Sequence, residues 1–203
     1  MDAAKTSTKD RIIESSIDLF SEKGFYETSI REIAKKCNLQ VSSLYSHFSG
    51  KEEILDDILK IYREELVKVR IPDERIESLV NSMSLEEILA KGFTVLIDTT
   101  SSLRMNKIIK IMVMEMYRNP KVRDFYTQWY FNENRISIMN LFKRLQAQEK
   151  IKKVDLEMLT SVFGALMNYF YHEYFLAKLD HKDTKELEQK IEQHLEFFVG
   201  LIK

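Results

Sequence analysis

Cysteine occurs once, at Cys37, so no disulfide can form within the chain, which fits a reducing cytoplasm. Two prolines and five glycines in 203 residues leave few chain breakers, and the chain is expected to be mostly helix. No apolar run approaches the roughly 20 residues that a membrane span requires. The richest stretch, Ile108 to Met116, is interrupted by Lys110 and Glu115. Met1 to Asp10 is polar and charged, unlike a secretory leader. Neither sign of charge dominates, with a net charge of −1. Proteins that bind nucleic acid usually carry a basic footprint, so a chain this balanced could hold nucleic acid only through a few placed contacts. Catalytic constellations are missing too. There is no glycine-rich phosphate loop and no nucleophile elbow. His172-Glu173 begins like a zinc-protease motif, but Leu176 stands where the second His is required. His172, His181 and His194 are not at ligand spacing. No enzyme activity, metal or cofactor is expected.

What is present is a composition ordinary for a globular protein, 44% hydrophobic and 31% charged, and one informative stretch, Ser29 to Lys51. It reads as two short helices joined by a tight turn. Ile30, Ile33, Ala34 and Cys37 share a face of the first. Ser29 followed three residues later by Glu32 is a capping box that marks its start. Asn38 suits the turn because Asn tolerates left-handed backbone. In the second helix Val41, Leu44 and Phe48 point inward. Ser42, Ser43, Ser46 and His47 point outward, with Gln40 leading in. A short helix backed by apolar residues and polar in front suits a DNA major groove. Thr28 and Ser29 stand at a helix N-terminus, where backbone amides welcome a phosphate.

The run L-Y-S-H-F-S-G-K-E-E, about twenty residues after G-F-Y-E-T-S-I-R-E-I-A, resembles the DNA-binding head of the TetR family of transcriptional regulators, over roughly residues 8 to 66. The resemblance implies a helix-turn-helix in which Tyr45, His47 and Lys51 touch the phosphate backbone, while Gln40, Ser42, Ser43 and Ser46 lie where base edges are read. Family members usually carry a small residue at the Gln40 position and Gly or Lys near Val41 and Ser42. The departure here bears on the operator sequence and not on the binding mode.

Along the rest of the chain the 3.6-residue period predicts a helix from about Thr8 to Lys23, ended by Gly24, with Ile12, Ile13, Ser16, Leu19 and Phe20 inward. Ser49 with Glu52 reads as a second capping box, opening a helix from Lys51 to about Arg70 that Pro72 stops. Further helices are expected over 73–81, 84–99, 102–118, 120–150, 155–179 and 183–202. The fold class is all-α, about nine helices, with a three-helix head at 1–50 and an effector-binding and dimerisation body at 51–203.

The last two helices are too apolar for a monomer surface. Gly164, Tyr171, Phe175, Leu187, Ile191, Leu195 and Phe198 are expected at a two-fold interface with a second copy, the job these helices do in TetR-like proteins. Phe93, Met112, Met116, Trp129, Tyr130, Phe163 and Met167 are candidate lining for an unidentified small-molecule effector, because Met and aromatic side chains suit adaptable apolar pockets. The expected function is a homodimeric, ligand-responsive regulator, a repressor, on a double-stranded, near-palindromic DNA operator. It is released by an apolar or amphipathic effector acting through the 51–70 helix. The rival from another class is a helical interaction module whose head binds a protein.

Overall fold

The computed structural model describes residues 7–203, with Tyr130 described by its backbone alone. Among the described residues there are eleven α-helices, one π-helical turn and no strand. The chain divides into two compact units. One comprises residues up to Val67 together with Thr100–Tyr126. The other comprises Lys68–Thr99 together with Thr127–Lys203.

The first unit opens with α1 (Thr8–Lys23), α2 (Ile30–Lys36), α3 (Val41–Tyr45) and α4 (Lys51–Val67). A capping box not read from the sequence starts α1: the Ser7 hydroxyl accepts from the Asp10 amide at 3.0 Å, and the Asp10 carboxylate accepts from the Ser7 amide. Gly24 ends it at φ +92°, a backbone that side chains rarely adopt, with its N–H donated to the Phe20 carbonyl. Ile12, Ile17, Phe20, Ile33, Leu44, Phe48, Ile54, Leu55 and Ile58 are almost wholly buried and form one core. The expected cap of α4 differs in detail. Ser49 pairs through its amide and hydroxyl with Glu53, one residue beyond Glu52, at 2.7 and 2.9 Å.

Two further helices belong to this unit: α7 (Leu103–Glu115), which packs on α1 and α4, and α8 (Pro120–Thr127), which begins beside it. Ion pairs join α7 to α1, Arg104 with Glu14 at 2.7 Å and Lys107 with Asp18 at 2.6 Å. Lys121 on α8 pairs with Asp56 on α4. Helices distant in sequence thus brace the helix-turn-helix.

The second unit holds α5 (Asp73–Ser82), most of α6 (Leu85–Thr100), α9 (Asn134–Ala147), α10 (Leu156–Leu179) and α11 (Lys185–Ile202). Its core contains Ile76, Val80, Phe142, Leu145, Ile191 and Val199. Phe142, Phe163 and Phe198 meet as an aromatic triad, with ring centres 5.3–6.2 Å apart. The single helix expected over 120–150 is instead α8, a π turn at Gln128–Glu133 and α9. A π turn inserts one residue into the helical phase. It lets the stripe holding Trp129 and the stripe holding Ser137, Leu141 and Leu145 both face inward, while Phe131 is left exposed. Arg70 fastens the turn by an ion pair with Glu133 at 3.3 Å, its guanidinium 5.9 Å from the Trp129 ring.

Candidate nucleic-acid interface

The reading face is built from the chain's local rules. The Ser29–Glu32 capping box forms as expected, the carboxylate accepting from the Ser29 amide and hydroxyl at 2.9 and 2.8 Å. The Lys23 ammonium on the same carboxylate, followed by those two Ser29 donors, lowers the Glu32 pKa to about 2. Asn38 takes the left-handed turn at φ 55°, and the Leu39 amide closes back on the Ala34 carbonyl at 2.9 Å. That turn delivers α3, only five residues long, with Leu44 and Phe48 fully buried beneath it. Val41 is half-buried. Gln40, Ser42, Ser43, Tyr45, Ser46 and His47 are all exposed. Gln40 stands at the N-cap without using its side chain as a cap, so its amide group remains free to contact a base edge.

Three expected contact residues have internal partners. Thr28 is buried. Its hydroxyl donates to the Gly24 carbonyl at 2.8 Å and its amide to the Phe25 carbonyl at 3.3 Å, so it shapes the turn and its side chain does not face outward. The Ser29 amide belongs to the cap. The Lys51 ammonium donates to three carbonyls, those of Phe25, Tyr26 and Thr28, at 2.8, 3.3 and 3.1 Å. It lies 4.5 Å from the Phe25 ring centre. All three of its protons are in use within the chain, which leaves the ammonium no hydrogen bond to give outward. A shallow groove runs past these residues, lined by Tyr26, Ser29, Ile30, Tyr45, Gly50 and Glu52 among others.

Sequence reasoning missed Glu115. It is wholly buried at the end of α7, and its Oε1 accepts the Phe25 amide at 2.9 Å. Its Oε2 has no hydrogen-bond partner among the described residues. The 24–28 turn is therefore held from α7 by Glu115 and from α4 by Lys51. The only sequence-level signal was a single acid in a helix whose other charged residues, Arg104, Lys107 and Lys110, are basic.

The body residues fall differently from expectation. Met112 is core and Met116 half-buried in the first unit, whereas Phe93, Trp129, Phe163 and Met167 lie in the second. Phe93 and Phe163 belong to that unit's core, Met167 packs against it, and Trp129 is buried under Arg70. The side chain of Tyr130 lies outside the described residues. Of the residues expected at a two-fold interface, Phe175, Ile191, Leu195 and Phe198 are buried within the chain itself, while Gly164, Tyr171 and Leu187 are half-buried. The exposed apolar row of α10 is instead Met158, Val162, Tyr169, Leu176 and Leu179, and α11 exposes Phe197 and Leu201. Among the described residues no His, Cys, Asp and Glu cluster is placed to hold a metal, and no helix is long and apolar enough to cross a membrane.

Comparison with known proteins agrees with this geometry. Residues 12–58 match the model of the bacterial regulatory proteins of the tetR family. The probable HTH-type transcriptional regulator YttP of Bacillus subtilis (strain 168) is 38% identical over 85 residues, covering 42% of this chain and 40% of its own. The negative transcriptional regulator IcaR of the biofilm operon icaADBC in Staphylococcus aureus (strain Newman) is 46% identical over 52 residues, 26% of this chain and 28% of its own. The matches thus span less than half the length of these relatives. Among solved structures, a TetR family transcriptional regulator from Pseudomonas syringae pv. tomato superposes with a TM-score of 0.70 over 96% of both chains at 17% identity. The flavonoid-responsive regulator FrrA does so with 0.67 over 97% of both at 21%. The head at residues 12–58 thus matches the tetR family of bacterial regulatory proteins, and the chain as a whole has the all-α fold of solved regulators of that family.

Proposed function

We propose that this protein is a ligand-responsive repressor that binds a near-palindromic operator as a homodimer. The observation that carries the reading is the outward face of α3. Gln40, Ser42, Ser43 and Ser46 are exposed and polar, while Leu44 and Phe48 anchor the helix from behind. In this reading those four residues meet base edges, with Gln40 able to make a bidentate contact to adenine. Tyr45 and His47, exposed at the end of α3, meet phosphates, while Ser29 keeps its amide and hydroxyl in the α2 cap. Thr28 and Lys51 hold the turn between them. The functional division is a DNA head at 1–50 and a body at 51–203. Repression follows the role of IcaR, a negative regulator.

A second copy supplies the other half-site. The exposed apolar rows of α10 and α11 favour a two-fold interface there. Two heads then sit roughly 34–36 Å apart, or a small multiple of it. The effector is small and apolar or amphipathic, in line with the apolar, Met- and aromatic-rich body and with the flavonoid response of FrrA. It releases DNA by preferring a body arrangement that misplaces the heads, since equal affinity for both states would shift nothing.

The test is a gel-shift series. Tyr45→Ala weakens binding to all sequences alike, and Gln40→Ala alters base preference. Unchanged binding by Tyr45→Ala together with unchanged preference by Gln40→Ala overturns the reading face.

A further inference from the structure

We propose that Arg31 and Lys35, on the solvent face of α2, provide the head's main electrostatic grip on the DNA backbone, while Lys51, the basic residue at the start of α4, acts as an internal tie. This rests on the DNA-binding reading above.

The described cations of the head differ in how they are partnered. Lys9 is ion-paired with Asp57 at 2.8 Å, Lys23 with Glu32, and Lys36 with Asp18 at 2.9 Å. The Arg11 guanidinium donates to the Cys37 carbonyl. Lys51 gives its three protons to the carbonyls of the 24–28 turn. The groove beside Lys51 also carries Glu27 and Glu52, both exposed, so its local charge is not positive. Phosphates approaching there meet two acids for one ammonium that is already fully hydrogen-bonded. Arg31 and Lys35 are different. Both are exposed, and among the described residues neither has an ion pair or hydrogen bond from its side chain.

Their placement suits a phosphate backbone. At i and i+4 on α2 their side chains stand side by side, about 5–6 Å apart at Cβ. Ile33, Ala34 and Cys37 bury the opposite face of that helix. In a helix-turn-helix the first helix of the pair crosses the backbone while the second enters the groove. Arg31 also directly follows Ile30, which lines the groove beside Tyr45. Two unpaired cations on the crossing helix then explain how a head whose acids and bases nearly cancel still holds DNA.

The experiment needs no knowledge of the operator, because the backbone term is independent of sequence. The full chain is titrated onto a mixed-sequence duplex of about 30 base pairs, by fluorescence anisotropy, across a salt series. Each neutralised phosphate contributes about 0.9 to the slope of log affinity against log salt. A head that neutralises one phosphate fewer therefore has a fall in affinity between about 50 and 200 mM salt that is smaller by about 3.5-fold. Arg31→Gln and Lys35→Gln are each expected to reduce that slope by about 1 per head with the melting temperature unchanged. Lys51→Met is expected to lower the melting temperature and leave the slope of the remaining folded protein near wild type. Wild-type slopes in both Gln variants overturn the assignment, and so does a Lys51→Met variant that melts normally with a reduced slope. A wild-type chain that binds no duplex at low salt overturns the DNA reading itself, a failure distinct from the first two.

Discussion

Replacing Glu115 separates a bracing role from a merely tolerated buried acid. Its Oε1 accepts the Phe25 amide at 2.9 Å and both groups are buried, so Glu115→Ala leaves that amide without an acceptor. An orphaned buried donor costs about 1–3 kcal/mol, and the space left by the side chain adds to it. We expect a loss of about 3 kcal/mol, which for a chain of this size lowers the melting temperature by roughly 6–12 °C. Glu115→Gln should behave differently. The amide oxygen can still accept from Phe25, and a neutral amide group takes the place of a buried carboxylate. Its stability should lie within about 1 kcal/mol of wild type. Thermal melts by circular dichroism, with urea titration as a second measure, decide the matter. An Ala variant as stable as wild type, or a Gln variant as weak as Ala, would refute the idea that this hydrogen bond holds the 24–28 turn.

Further expectations follow from the same geometry. Gly24→Ala should cost about 1–3 kcal/mol by urea titration, because φ +92° suits only glycine and the new Cβ would lie 3.0 Å from Glu115 Oε1. The Glu32 pKa is held at about 2, below its ordinary 4.5, so the α2 cap stabilises the fold fully above pH 4.5 and loses that contribution as the pH falls toward about 2. An acid titration of Glu32→Gln should therefore show a shallower fall than wild type across that range, and parallel curves would count against the cap. Leu176→Glu with Phe197→Glu should yield a folded monomer by sedimentation, whereas an intact dimer would place the interface elsewhere. Phe198→Ala should instead destabilise the second unit by about 3–5 kcal/mol, because its ring closes the aromatic triad.

Much of the head was readable before its structure. Ser29 with Glu32, Gly24, Asn38 and the inward set of Leu44 and Phe48 obey short-range rules of capping, turn geometry and helical period, which one stretch of sequence contains in full. Partners distant in sequence were not readable. Lys51 looks like a free cation until the Phe25, Tyr26 and Thr28 carbonyls are seen to surround it, and Glu115 lies ninety residues from the amide it accepts. The phase of α10 was equally hidden. With Phe163, Phe170, Tyr169 and Leu176 all apolar, its period marks no single face, and only packing shows that Phe175 turns inward while Leu176 turns out. The π turn at Gln128–Glu133 left no local signal, because its residues suit an ordinary helix nearly as well.

The central claim, that α3 reads DNA in pairs, is tested most directly by selecting binding sites from a random duplex library with the purified protein. The account predicts enrichment of a near-palindrome whose half-sites are centred about 10 base pairs apart, or a small multiple of it, and a shifted consensus when Gln40→Ala is used. A library that emerges unenriched, or a consensus that Gln40→Ala leaves unchanged, would contradict it.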